Sequence, residues 1–385
     1  MGVISEARAQ QILADLVALE SVNPMGKPHA GPRAVEYEVA RYLEALFQPY
    51  GVELTPDPYS PLHENLLVRI PGAQPGPATL FESHMDTVPA DDWADRAFTP
   101  RVEGGVLYGR GACDDKGCLT AMALAALDLL ESGVAPPQTV LFLAAGDEEY
   151  TQTGIKRFLT GGESIARGVF GEPTEQIPII KHKGTVRWDI TVRGKSAHTA
   201  RPELGTNAIL GMVDVIDCIH TYQEKLRDRY WNPLLTPPTL TVTRIQGGRT
   251  RNSVPDECTV ALDYRVLPGM EPETARQDLM EALGELEHEI HHHEPQMMTP
   301  PLATSEGDTF ALGVLEICRE ALGEKIDLAG VPYGTDASWL PAPAVVLGPG
   351  SIASAHAIDE HIRIHQVVEA AQIYRRIMLT DFSAG

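Results

Sequence analysis

The chain reads as an α/β protein, a mostly parallel sheet with helices on both faces, carrying an inserted α+β domain. Three observations predict this. Apolar strand runs alternate with helical periods in the first half. The middle third switches to apolar–polar alternation, the mark of half-exposed antiparallel strands. Signals of the first kind then resume toward the C-terminus. At 385 residues the chain exceeds one ordinary core, so two domains are expected.

Taken in order, residues 1–20 (MGVISEARAQQILADLVALE) carry an amphipathic helix pattern with charges throughout. Lacking a basic segment ahead of an apolar one, they read as part of the fold rather than a secretory leader. NLLVRI (65–70) and ATLFESHMDTV (78–88) read as strands. A helix is predicted over 118–130, with Leu119, Met122, Ala123, Ala126, Leu127 and Leu130 on its apolar face. TVLFLAA (139–145) is a continuous apolar run, as a strand buried on both faces requires, and GVFGEPT (168–174) is a short strand with a polar exit. Residues 179–192 alternate. A helix follows with Ile209, Met212, Val213 and Ile216 on one face, then strands TLTVTRI (239–245) and CTVALDYRV (258–266), then a charged helix over 271–290. Pro295, Pro300 and Pro301 punctuate the exit. A helix over 310–321, the strand AVVLGPG (344–350) and a helix over 361–378 close the chain. Residues 1–177 with 296–385 are therefore expected to form one domain, and 178–295 the insert.

Lys and Arg number 31 against 53 Asp and Glu, a net charge of −22. That excludes nucleic acid and anionic membrane as partners, since both need a basic face. Solubility is the plain meaning of the charge, and a negative field also tolerates cations. No apolar run reaches about 18 residues, so no spanning helix is expected. Cys113, Cys118, Cys218, Cys258 and Cys318 are an odd, scattered set, which reads as reduced thiols in a cytoplasm.

The stretch LFLAAGDEEY (141–150) drives an apolar strand straight into three carboxylates. In open α/β sheets, ligands gather at the carboxyl ends of strands. Those ends carry His84 and Asp86, then Asp114 and Asp115 in VLYGRGACDDKG, then Asp147, Glu148 and Glu149, then Glu172, and finally His356 in GPGSIASAHAIDE. One such residue at a strand end is a cap or a solvated turn. Five sites together are not explained that way, because crowded carboxylates raise one another's pKa at a cost in stability. His, Asp and Glu bind zinc without thiolate, and one or two dications would relieve the crowding. Residues two apart on an extended strand point the same way, which lets the Asp86 carboxylate support the His84 imidazole.

HMDTVP, GRGACDDKG, GDEE, GEPT and AHAIDE, in this order and approximate spacing, resemble a family of di-zinc amidohydrolases and peptidases. It includes acetylornithine deacetylase, succinyl-diaminopimelate desuccinylase, aminoacylase and glutamate carboxypeptidase. The resemblance implies a zinc-peptidase-like domain with a lid or dimerisation insert, and two Zn2+ ions that Co2+ or Mn2+ could replace. It implies His84 and His356 as ligands to different ions and Asp114 as the bridge between them. Glu149 is then a ligand on the His356 side and Glu172 on the His84 side. Glu148 is implied as general base, Asp86 as the carboxylate orienting His84, and the Asp114–Asp115 peptide as cis. A base that shuttles protons must not itself be locked onto a metal. In the insert, GKSAHTARPELGTNAI resembles the family's segment whose histidine reaches across a dimer, which nominates His198. RNSVPD resembles the segment carrying a substrate-binding asparagine, which nominates Asn252, and LDYR resembles the one whose arginine fork holds the substrate carboxylate, which nominates Arg265. Lys195, Arg193 and Arg251 are alternatives for these roles, His198 can equally be a surface histidine, and Arg265 can equally pair with Asp263.

The expected activity is hydrolysis of the amide bond of N-acyl amino acids, acetylornithine deacetylase-like, by a homodimer joined through the insert. A dipeptidase or carboxypeptidase acting on short peptides, or a succinyl-diaminopimelate desuccinylase, is the alternative within the family. A noncatalytic binding or assembly protein on the same fold is the alternative of another class. Other conspicuous residues take plainer readings. His291, His292 and His293 read as a solvated helix end whose rings splay. Cys113 and Cys118 lack C-x-x-C spacing and read as small buried hydrophobes. GRGACDDKG is not G-x-G-x-x-G, so no dinucleotide site is expected. Asp92 and Asp95 read as solvated charge.

Overall fold

Every residue of the strand Val140–Ala145 is buried, which is where an apolar run without alternation must go. The structure, a computed structural model, describes residues 4–28, 35–91 and 93–382; residues 1–3 of the N-terminal helix pattern and Asp92 lie outside the described residues. The described chain divides into two compact units, one of residues 1–180, 304–329 and 335–385, the other of 181–303 and 330–334.

In the first unit, Val140–Ala145 lies between Glu64–Ile70, antiparallel, and Ala78–His84, parallel. Ile165–Phe170 and then Ala344–Val346 continue the parallel run beyond Ala78–His84, and Glu53–Pro58 edges the other side. Four parallel strands therefore end on one side, and the predicted polar exits are their carboxyl ends. The helix Lys116–Ser132 is buried nearly all round rather than on the single predicted face. It packs on the sheet strand Ala78–His84 while the helices Glu6–Ala18 and Ile364–Leu379 cover its outer side. An alanine-rich sequence permits this, since small side chains let neighbours approach from several directions. Gly133, at φ 65°, ends it in the left-handed conformation that glycine adopts without strain. The last predicted helix begins three residues late, because His361–Arg363 first pairs as a strand with Val106–Tyr108.

The second unit is an antiparallel sheet in the order Thr239–Gly247, Glu257–Val266, Gly184–Arg193, Glu289–His292, with Met297–Thr299 also on Gly184–Arg193. Trp188, Ile190, Val192, Val260, Leu262 and Tyr264 form its buried face against the helices Ala208–Arg229 and Pro272–Gly284. Two expectations are corrected here. The charged helix stops at Gly284, and Glu289–His292 is an edge strand, so His291–His293 is no helix end. On a strand His291 and His293 share a face, with ring centroids 4.7 Å apart, while His292 turns to Trp188. Secondly, Ile209 and Val213 do not face the core. Met212, Val215 and Ile219 do, leaving Ile209, Leu210 and Val213 exposed.

Candidate metal centre

His84 closes the strand Ala78–His84 and is buried. Its Nδ1 donates to the Asp86 backbone oxygen at 2.9 Å, which leaves Nε2 of the neutral ring as a bare acceptor. That nitrogen faces Asp114 Oδ1 at 3.1 Å. Asp114 Oδ2 lies 3.2 Å from His356 Nε2, which is also 3.2 Å from Glu149 Oε2. Lone pairs thus point at lone pairs, and only a proton or a cation between them resolves the contact. Asp114 offers one oxygen to each imidazole, the arrangement a bridging carboxylate needs. Ligand atoms of His84, Asp114 and Glu149 lie within 4.8 Å of one another, and so do those of His84, Glu148 and Glu172. The donors are imidazole nitrogens and carboxylate oxygens without thiolate, a set that fits zinc, cobalt or manganese.

The electrostatics agree. Burial, joined by Asp114 and Glu148, pushes the Glu172 carboxyl well above its ordinary range. Burial raises Glu148 likewise, with Asp336 and Glu149 adding to it. His356 beside Asp114 and Glu149 is pushed up to about 10. Burial opposes charge on His84, but Asp114 and Asp86 outweigh it and hold its pKa well above normal. Every one of these groups calls for positive charge at the centre of the cluster.

Local chain geometry fixes the donors. The turn after Val140–Ala145 gives four consecutive amides to side-chain oxygens. Gly146 donates to Asn65 Oδ1 at 3.0 Å, Asp147 to Glu36 Oε1 at 3.2 Å, Glu148 to Asp86 Oδ1 at 3.1 Å and Glu149 to Asp86 Oδ2 at 3.3 Å. A Cβ at Gly146 would sit 2.8 Å from the Glu64 carbonyl and 2.9 Å from the Glu36 carboxyl, so the turn needs glycine there. With Asp147 at φ 63°, the two glutamates leave the turn in different directions. Glu148 Oε1 accepts from Gln152 Nε2 at 3.0 Å, while Glu149 Oε1 accepts from the Val88 amide at 3.2 Å. The Asp86 carboxylate is thus spent mainly on this turn. Its nearest approach to the His84 ring is 3.6 Å, and the ring is oriented by the Asp86 backbone instead.

The loop bearing Asp114 is held by Glu360, which is fully buried. Glu360 accepts from the amides of Gly111, Cys113 and Asp114 at 3.1, 2.9 and 2.9 Å, and from Arg110 Nη1 at 2.6 Å. The Asp114–Asp115 peptide is cis. Cys113 and Cys118 are buried free thiols, and Asp95 is exposed, as read from the sequence.

The three insert residues lie in the second unit. His198 and Asn252 are brought together, since the Thr199 amide donates to the Asn252 carbonyl at 3.1 Å and His198 bridges Ser253. Arg265 holds Asp263 through Nε at 2.7 Å and Nη2 at 3.2 Å, and Thr185 Oγ1 through Nη1 at 3.0 Å. The pairing anticipated as its alternative is the one present. Sequence reading missed Asn23, Glu36, Asn65, Arg110 and Glu360. For Glu360 a signal existed, the last letter of AHAIDE; for Asn23 and Glu36 none did, because their partners lie far away in the chain.

A profile of peptidase family M20/M25/M40 matches residues 80–380. The acetylornithine deacetylase of Proteus mirabilis (strain HI4320) is 32% identical over 366 residues, 91% of either chain. That of Pectobacterium carotovorum is 33% identical over 327 residues, 81% of this chain and 82% of its own. Among solved structures, aminopeptidase PepT of Bacillus cereus superposes with a TM-score of 0.78 at 21% identity, covering 98% and 99% of the two chains. The Bacillus subtilis YXEP protein, described as a dinuclear metal binding peptidase, superposes at 0.70 with 16% identity and 97% of each chain. Motifs, fold and donor cluster converge, and the chain belongs to peptidase family M20/M25/M40, the metal-dependent hydrolases of peptide and related amide bonds.

Proposed function

We propose that the protein hydrolyses the amide bond of N-acyl amino acids, as an acetylornithine deacetylase-like enzyme, at a centre of two zinc ions. The observation that carries this is Asp114, whose two oxygens face His84 and His356 separately. His84 and Glu172 would hold one ion, His356 and Glu149 the other. Bound there, such a pair would supply an acidified water and a polarised substrate carbonyl. Glu148 would take the proton that the attacking water gives up and deliver it to the departing amine, a role that needs its carboxylate free of the metal ligands. Gln152 and the Asp86-bound amide hold Glu148 in place for that exchange. Asp86 keeps the base and the ligand Glu149 pointing apart.

His198 and Asn252, adjacent in the second unit, are assigned to substrate, and Arg265 to its carboxylate once that displaces or shares Asp263. The insert is assigned as lid and dimerisation domain of a homodimer, supported by exposed Ile209, Leu210, Val213 and Ile245 on it. Five free cysteines support a cytoplasmic setting. Among the described residues no helix is long and apolar enough to cross a membrane.

The test is metal-stripped protein reloaded with Zn2+, Co2+ or Mn2+ and assayed on N-acetyl amino acids and on dipeptides. Zn2+-dependent turnover of N-acetyl amino acids is expected, and Glu148→Ala is expected to abolish it while retaining bound metal. Turnover of dipeptides alone overturns the deacetylase assignment.

A further inference from the structure

We propose that Asn23 is a positioning residue for the catalytic turn, tying the Asp86 carboxylate to Asp147 so that Glu148 and Glu149 keep their separate aims. This rests on the functional reading above. Asn23 is fully buried, in a segment that carries none of the quoted motifs. Its Nδ2 donates to Asp86 Oδ2 at 2.8 Å and to Asp147 Oδ1 at 3.0 Å. Its Oδ1 accepts from the Met25 amide at 2.9 Å, which settles which end of the amide faces the acids. Both hydrogens of one amide are therefore spent on two different carboxylates. A buried carboxylate pair repels, and a side-chain amide with two hydrogens can bridge it without adding charge.

The backbone makes the bridge rigid. Val22 pairs in parallel with Thr87, Asn23 N–H donates to the Thr87 carbonyl at 2.8 Å, and Thr87 N–H to the Ser21 carbonyl at 2.9 Å. Ser21 Oγ donates to the Met85 carbonyl at 2.7 Å. Residues 21–23 thus extend the sheet beside 85–87, and the Asn23 side chain spans from there to the turn. Asp86 is the hub: one oxygen orders Glu148, the other orders Glu149 and is itself ordered by Asn23. Loosening Asn23 leaves the second oxygen held by the Glu149 amide alone, and with that the base and the ligand can move relative to each other.

The test compares wild type, Asn23→Ala and Asn23→Asp for kcat, KM and Zn2+ affinity measured by chelator competition. Partners one step behind a ligand typically change metal affinity or activity about 10- to 100-fold. A fall of that size in kcat is expected for Asn23→Ala, with KM little changed and the weaker Zn2+ equivalent loosened. Asn23→Asp, equal in size but turning an oxygen toward two carboxylates, is expected to be worse than alanine. Variants with wild-type kcat and Zn2+ affinity overturn the role, even if their melting temperature falls. A wild type that binds no Zn2+ and cleaves no amide overturns the functional reading instead. Should neither variant fold, hydrogen exchange on the wild type decides. Amides 148 and 149, the two that donate to Asp86, protected like those of Val140–Ala145 support the bridge, and loop-like exchange there overturns it.

Discussion

Arg110→Met cuts one side of an ion pair that has almost no water to fall back on. Arg110 and Glu360 side chains are 3% and 0% exposed, with Nη1 to Oε2 at 2.6 Å. Removing one partner of a buried pair costs about 3–5 kcal/mol, because the other charge is left uncompensated. Glu360 would keep three backbone amides, which places the cost near the lower figure. At about 2–4 °C per kcal/mol for large domains, about 3 kcal/mol becomes a fall of roughly 6–12 °C in melting temperature. Arg101→Met is the internal control. Arg101 meets Glu103 at a similar 2.9 Å, but the side chains are 52% and 58% exposed, and such pairs contribute about 0–1 kcal/mol. Differential scanning calorimetry of both variants, metal-loaded and chelated, makes the comparison. Equal shifts for the two would refute the claim that burial rather than distance sets the value of these pairs. Because Glu360 also holds the Asp114 amide, Arg110→Met is further expected to weaken metal retention, whereas Arg101→Met is not.

Three more outcomes follow from the geometry. Chelation is expected to abolish hydrolysis and lower the melting temperature, since an ion at 100 times its Kd stabilises the folded state by about 2.7 kcal/mol; an unchanged melting curve would count against ions at the cluster. Arg265→Ala is expected to raise KM with kcat little affected, the loss of a charge-assisted bond of about 1.5–3 kcal/mol corresponding to roughly 10- to 150-fold; unchanged KM would leave Arg265 a partner of Asp263 and nothing more. His292 is lowered to about 4 by burial, with Arg276, His291 and His293 adding to it. The unfolded chain therefore takes that proton first, and stability present above pH 6.5 is lost as the pH falls toward 4. Protonation also removes the Nδ1 that accepts from Trp188 Nε1 at 3.4 Å. Denaturant midpoints at pH 7 and pH 4.5 should converge more in His292→Phe than in wild type.

Much of the fold was legible because period and burial coincide. TVLFLAA announced an interior strand, and the polar residues after it announced a site at the carboxyl end. What could not be read was whatever depends on partners distant in the chain. The helix Lys116–Ser132 is buried on faces that no period reveals, since its neighbours come from both ends of the sequence. Glu271 to Ile290 looked continuously helical because charged residues suit an exposed helix and an edge strand alike; cross-strand pairing with Ile190–Arg193 decided it. Ile209 and Val213 fitted a helical stripe, but the stripe facing the sheet is one position away. Within the site, residues recognisable by type and position converge as five separate motifs. Their supports are ordinary acids and amides that carry no local signal, and Asp86 serves the glutamate turn more directly than the histidine beside it.

The contact between Glu360 and the Asp114 loop joins positions 246 apart, and the bridge from Asn23 to Asp147 joins positions 124 apart. Closing loops of that span costs chain entropy before either contact returns any stability. An incompletely folded chain would accordingly own the carboxylates without their geometry. The donor geometry therefore belongs to the whole chain and to no contiguous stretch of it, because both contacts tie a segment near one end to the middle.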